Sequence, residues 1–250
     1  MKLLVIVLCL FSERFVLHWS SSHRFRLFAL YENFVTKKLA QIPVVSSAWS
    51  LLLISLCPWV IGIGLAYYLF SNLLFGFAGF LFSLILFYAC IGPENPFYPA
   101  RAATETPESA EEVGSYMVQV NGQLFAIIFW YAILGPLAIL VYRLIAQSQQ
   151  QVPISKQSTS LLELLDWLPT RLTMLLYLLV GNFQAGFPVF AQSFLCKPDK
   201  NQQLLAKVSL IALQSGKRKA TTLLNAESLV EQALIVLLVI LACFTLGSWT

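Results

Sequence analysis

Residues 161–182 read LLELLDWLPTRLTMLLYLLVGN. Leucine dominates, yet Glu163, Asp166, Pro169 and Arg171 interrupt the run. One charge at the centre of a membrane helix costs about 2.5–3.5 kcal/mol. Three charges within so short a span nearly cancel what the leucines gain. The stretch therefore either begins at a membrane surface or turns its polar face toward a protein-lined cavity. Asp166 has two readings of its own. It caps a helix beginning near Trp167, with Pro169 in a tolerant first turn, or it forms part of an internal ion pair or ligand cavity.

Composition sets the class. The 250 residues are 58% hydrophobic and 11% charged, with a net charge of +4. A soluble domain carries about 25% charged residues. A chain with so little charge needs lipid as part of its solvent. Of the five cysteines, Cys9, Cys57, Cys90 and Cys243 sit in apolar runs and read as small buried hydrophobes. No CxxC pair occurs and the only histidines are His18 and His23. No metal site, disulfide framework or cofactor is expected.

Upstream, QLFAIIFWYAILGPLAILVYRLI (123–145) is a span that Gly135-Pro136 should bend. Thr106-Pro107 reads as its helix start, followed by Glu108, Glu111 and Glu112. The proline-rich 93–107 is a loop. Residues 48–70 and 73–92 each hold about 20 apolar residues, enough for ~30 Å of hydrocarbon, and Ser71-Asn72 folds them into a hairpin. Pro58 should kink the first. Gly62, Gly64, Gly76 and Gly79 allow close helix contact. Residues 20–47 are basic, and Phe25, Phe28, Tyr31, Val35 and Leu39 recur at helical spacing, as in an interfacial amphipathic helix. The opening KLLVIVLCLF resembles a signal-peptide core, but SER follows in place of a small-residue cleavage site, so it reads as a retained helix. Glu13, Arg14 and His18 at its end reach either the headgroups or an internal polar site.

Downstream, 181–232 reads as a basic loop with an amphipathic helix marked by Leu204, Val208, Ile211 and Ala212. Its Lys217-Arg218-Lys219 triplet suits acidic lipid; too few charges cluster for nucleic acid. Residues 233–246 are a short final helix. Placing 20–47, 93–122 and 181–232 in the cytoplasm puts eleven of sixteen Lys and Arg there. The expected fold is all-α: one integral membrane domain over 1–250, a polytopic helical bundle with about five or six membrane segments plus interfacial helices.

The run LLDWLPTRLTMLLYLLVG, preceded by LFAIIFWYAILGPLAILVYRLI, resembles the AmpE family of regulatory signalling modulators. More distantly it is similar to the CobD/CbiB membrane enzymes of cobalamin biosynthesis. The matched positions are Phe129, Trp130, Tyr142, Arg143, Asp166, Pro169, Arg171 and Leu172. The enzymes carry acidic runs before and after this helix; here VQVNGQ and LIAQ stand instead, leaving Asn121 and Gln123. An amide-forming ligase needs charge set against phosphate and metal. The resemblance thus implies an inner-membrane, multi-pass regulatory protein linked to β-lactamase induction or cell-wall stress signalling, with no catalytic residues. The alternative it implies is a CbiB-related synthase acting on a phosphorylated or amine substrate. A transporter would need a broken helix and a repeat, and no internal repeat is evident.

The candidate polar site comprises Glu13, Arg14, His18, Asn121, Trp130, Tyr142, Arg143, Glu163, Asp166 and Arg171, with Arg143 and Asp166 the expected ion pair. Partners implied are membrane lipids and, if the cavity exists, a small-molecule ligand; nucleic acid is not expected.

Overall fold

The computed structural model describes residues 2–15, 28, 30–31, 47–71, 76–91, 109–152, 154–214 and 222–247. It is 91% helical, with no strand among these residues. The helices are α1 (Lys2–Phe15), α2 (Ala48–Ser71), α3 (Phe77–Cys90), α4 (Ala110–Val120), α5 (Ala126–Leu134), α6 (Pro136–Ser148), α7 (Ser155–Val180), α8 (Phe183–Ser193), α9 (Asn201–Leu213) and α10 (Leu223–Gly247). A π-helical turn, Asn121–Phe125, joins α4 to α5. The all-α membrane class holds. Among the described residues, three helical stretches have the length and apolarity to cross a membrane: Ala48–Phe70, Ala110–Leu134 and Leu223–Gly247. Lys2–Ser12, Phe77–Cys90 and Pro136–Ser148 are apolar but shorter.

Two compact units emerge, Met1–Glu94 with Trp130–Leu165, and Asn95–Phe129 with Asp166–Thr250. In the first, α3 packs on α1, α2 and α6, and α2 also packs on α6. Phe82 of α3 stacks on Phe70 of α2, and Phe87 meets Tyr131 edge-on at 4.9 Å. The expected second hairpin arm is cut short. Gly76 takes φ 88°, and α3 starts only after it. Its 14 residues span about 21 Å at 1.5 Å each. Gly62 meets nothing within 4 Å and Gly64 only an ordinary contact with Leu137, so these two glycines are not close-approach points.

Gly135 breaks the long helix as its sequence foretold. With φ 88° and ψ −164° it adopts a backbone state essentially reserved for glycine. Pro136 has no N–H to give the Ala132 carbonyl, and Lys2 Nζ supplies the donor, at 3.0 Å to Ala132 O and 3.2 Å to Ile133 O.

In the second unit α9 packs against α4, α8 and α10, and α4 also contacts α10. Gly114 of α4 lets α9 approach: a Cβ there would sit 3.2 Å from that of Ala206. Several boundaries differ from expectation. α4 starts at Ala110 with Ser109 as its N-cap; the expected start at Thr106-Pro107 lies outside the described residues. Ser109 and Glu112 form a reciprocal capping box, Ser109 Oγ accepting from Glu112 N at 3.2 Å and Glu112 Oε2 from Ser109 N at 3.1 Å. The supposed basic loop 181–232 is largely helical. Asn182 Oδ1 caps α8 through Ala185 N, and α9 buries Leu205, Val208 and Ala212. The last helix begins ten residues before its expected start, at Leu223, after Thr222 accepts from Asn225 N. Charge in its first turns had masked an apolar face that buries Ala226, Leu229, Val230 and Ala233.

All five cysteines are free thiols. Cys9 and Cys90 are buried as expected, but Cys57 and Cys243 are exposed. An apolar run on a span fits a lipid-facing side as well as a core-facing one.

Candidate functional site

The π turn gives Asn121 its place. Its backbone N–H is shared between the carbonyls of Met117 and Val118, and its side chain is buried at 4% exposure. Such insertions turn one extra residue toward a neighbour and recur at functional sites. The Asn121 amide meets α7 through Thr170 and Thr173, three residues apart and so on one helical face. Asn121 Nδ2 donates to Thr170 Oγ1 at 3.2 Å, and Thr173 Oγ1 donates to Asn121 Oδ1 at 2.7 Å. Thr173 Oγ1 also lies 3.0 Å from Pro169 O. Thus Pro169, which withholds one backbone hydrogen bond, lies beside a polar knot at the interior of a helix. Asp166 is likewise interior to α7, which runs unbroken from Ser155. It is no N-cap, and Pro169 is not a first-turn residue.

A different face of α7 carries Trp167 and Arg171, one turn apart. Arg171 is 2% exposed. Its guanidinium donates from Nε to Phe194 O (3.2 Å), from Nη1 to Asn201 Oδ1 (2.6 Å) and from Nη2 to Cys196 O (3.1 Å). Trp167 Nε1 donates to Cys196 O at 3.1 Å, and the Trp167 ring lies 5.2 Å from the Arg171 guanidinium carbon. Burial lowers the proton affinity of this guanidinium, which stays charged. Its planar fork fastens the turn between α8 and α9 to α7 through neutral oxygens. From Trp167 the aromatic contact continues to Phe194, Phe190 and Phe187.

Of the sequence-selected residues, Asn121, Asp166 and Arg171 belong to the second unit, and Trp130, Tyr142, Arg143 and Glu163 to the first. Asn121 and Arg171 both engage α7, but on separate faces with separate partners. Tyr142 and Arg143 are buried on α6, and Arg143 lies within electrostatic reach of buried Cys90. Glu163 and Asp166 are half-buried. The Glu13 and Arg14 side chains and all of His18 lie outside the described residues, as does most of the 20–47 segment. Thr170, Thr173 and Asn201 escaped notice because neutral side chains carry no cost signal in a hydropathy reading.

The Asn121 knot can be measured. Asn121→Leu leaves Thr170 and Thr173 facing an apolar group. We expect a loss of about 1–3 kcal/mol in chemical unfolding of the detergent-solubilised protein. Combined with Thr173→Val, the losses should be clearly less than additive; additive losses would mean the bond carries no coupling.

No curated protein and no solved structure matches the chain. The family model for the regulatory signalling modulator protein AmpE matches residues 100–248, which take in α4 to α10 with both polar knots. That is more than half of the 250 residues, and the chain belongs to the AmpE family.

Proposed function

We propose that this is a multi-pass inner-membrane protein of regulatory or sensory function, acting in β-lactamase induction or the response to cell-wall stress. Its family is named for regulatory signalling, and the match covers the part of the chain where buried polar side chains concentrate. The observation that carries the reading is how those side chains are used. Asn121 and Arg171 bond to their own chain, through Thr170, Thr173, Asn201 and two backbone carbonyls. Such groups hold helices and turns in register, as a protein that passes on a conformational signal requires. The partners that fit are membrane lipids and a small-molecule signal; nucleic acid has no place in this reading.

The test is the induction ratio of β-lactamase after a β-lactam challenge, in cells lacking this protein and in cells complemented with variants. Loss of the protein should change the ratio several-fold. Asp166→Asn and Arg143→Gln should fail to restore it while reaching the membrane at normal levels. An unchanged ratio in the deletion strain would reject the role.

A further inference from the structure

The first unit offers the membrane helices of very different reach. On α2 the exposed side chains Leu53, Ile61, Leu65 and Leu69 share one stripe. From Leu53 to Phe70 that side is about 26 Å tall at 1.5 Å per residue, close to the ~30 Å of hydrocarbon in a bilayer. No charged residue interrupts α2. α3 packs on α2 and is much shorter. Left-handed Gly76 closes it at one end and extended Ile91 at the other, so its 14 residues reach about 21 Å. Its exposed stripe is Phe77, Leu81 and Ile85. α1 packs on α3 in turn, and its exposed Leu4, Val7 and Leu8 lie between two charged positions, Lys2 and Glu13. Those positions are only about 16 Å apart along the helix.

A lipid-facing stripe shorter than the hydrocarbon has three remedies: flanking side chains snorkel to the headgroups, copies of the protein cover the stripe, or the bilayer thins. Snorkelling is restricted at Lys2, whose Nζ is tied to the Ala132 and Ile133 carbonyls. A second copy finds little to hold. Helices associate in lipid through small residues and hydrogen bonds, but the small residues of α3, Gly79 and Ser83, are buried against its own chain. The outward residues of α1 and α3 named above are all bulky and apolar. We propose that the α1–α3 face of the first unit is a docking surface for a locally thinned bilayer, with hydrocarbon of about 16–21 Å. Phospholipid with short acyl chains is the partner this face fits, while α2 beside it stands in lipid of ordinary thickness. The proposal rests on the membrane class and not on the signalling role, so its test needs no signalling readout.

Thermal unfolding of the full-length chain in lipid vesicles decides it. Phosphatidylethanolamine and phosphatidylglycerol would be kept at one ratio, with monounsaturated chains of roughly fourteen to twenty-two carbons. The midpoint, followed by tryptophan fluorescence, should be highest in the shortest chains and fall by several degrees toward the longest. A midpoint independent of chain length, or highest in the long chains that match α2, would overturn the proposal. Ser12→Leu, Glu13→Leu and Arg14→Leu combined would carry the apolar run of α1 on to Leu17. That variant should move the maximum toward longer chains, and an unmoved maximum would reject this face as its cause. A photoreactive amino acid in place of Leu81 should cross-link to lipid; cross-linking to a second copy would also overturn the proposal. Where the triple variant does not insert, the parent's chain-length profile and the cross-link decide.

Discussion

Replacing Arg171 with alanine should lower the unfolding free energy by about 3–5 kcal/mol, among the largest single-residue effects in this protein. The side chain makes three charge-assisted bonds from a nearly dry position, and each is worth about 1.5–3 kcal/mol before the cost of burying the charge is subtracted. Its loss leaves the Phe194 and Cys196 carbonyls and the Asn201 amide oxygen without this donor. It also leaves the Trp167 ring without the cation stacked on it. Lysine should rescue little, because a point charge with rotating donors cannot reach three oxygens set out for a planar fork. Chemical unfolding in detergent gives the magnitude, and limited proteolysis between Phe194 and Lys200 gives the location. If Arg171→Lys matched the parent in both, the fork geometry would be irrelevant.

Gly181→Ala should rank next, at about 2–3 kcal/mol. A Cβ at Gly181 would collide with the Ala212 carbonyl on α9, whose oxygen also accepts from Asn182 N at 3.1 Å. Neither backbone can move without breaking that bond or the one from Gly181 N to Tyr177 O at 2.8 Å. Gly186→Ala offers a sharp contrast. There the overlap is with the Leu178 Cδ2 methyl, the far end of a side chain that can change rotamer. The closer contact should therefore be the cheaper mutation, by at least about 1 kcal/mol. Paired unfolding curves would show the order, and an inverted order would mean that α9 yields more readily than Leu178.

These effects show where a sequence reading runs out. Leu204, Val208 and Ala212 at helical spacing announced α9, and Gly135-Pro136 announced a break, because period and backbone restriction are written residue by residue. The start of α4 was equally written, in Ser109-Ala-Glu-Glu112, but the proline at 107 outweighed it. The glycine pattern misled on α2, where Gly62 faces open space. Gly114 and Gly181, where an added Cβ would press on α9, sit opposite partners about 90 and 30 residues away.

The amino-acid pattern alone determined that this is an all-α chain fit for lipid, with its charges grouped and its family likeness held in the DWLPTR helix. Hydropathy and helical period suffice for that, since each depends on neighbours within a few residues. Only tertiary structure decided that Asp166 lies inside α7 rather than at its start, that 181–232 is largely helix, and that Arg171 holds a turn while Thr170 and Thr173 hold Asn121. Those outcomes depend on which carbonyls and amides the rest of the chain brings within about 3 Å, and nothing in a local window encodes that.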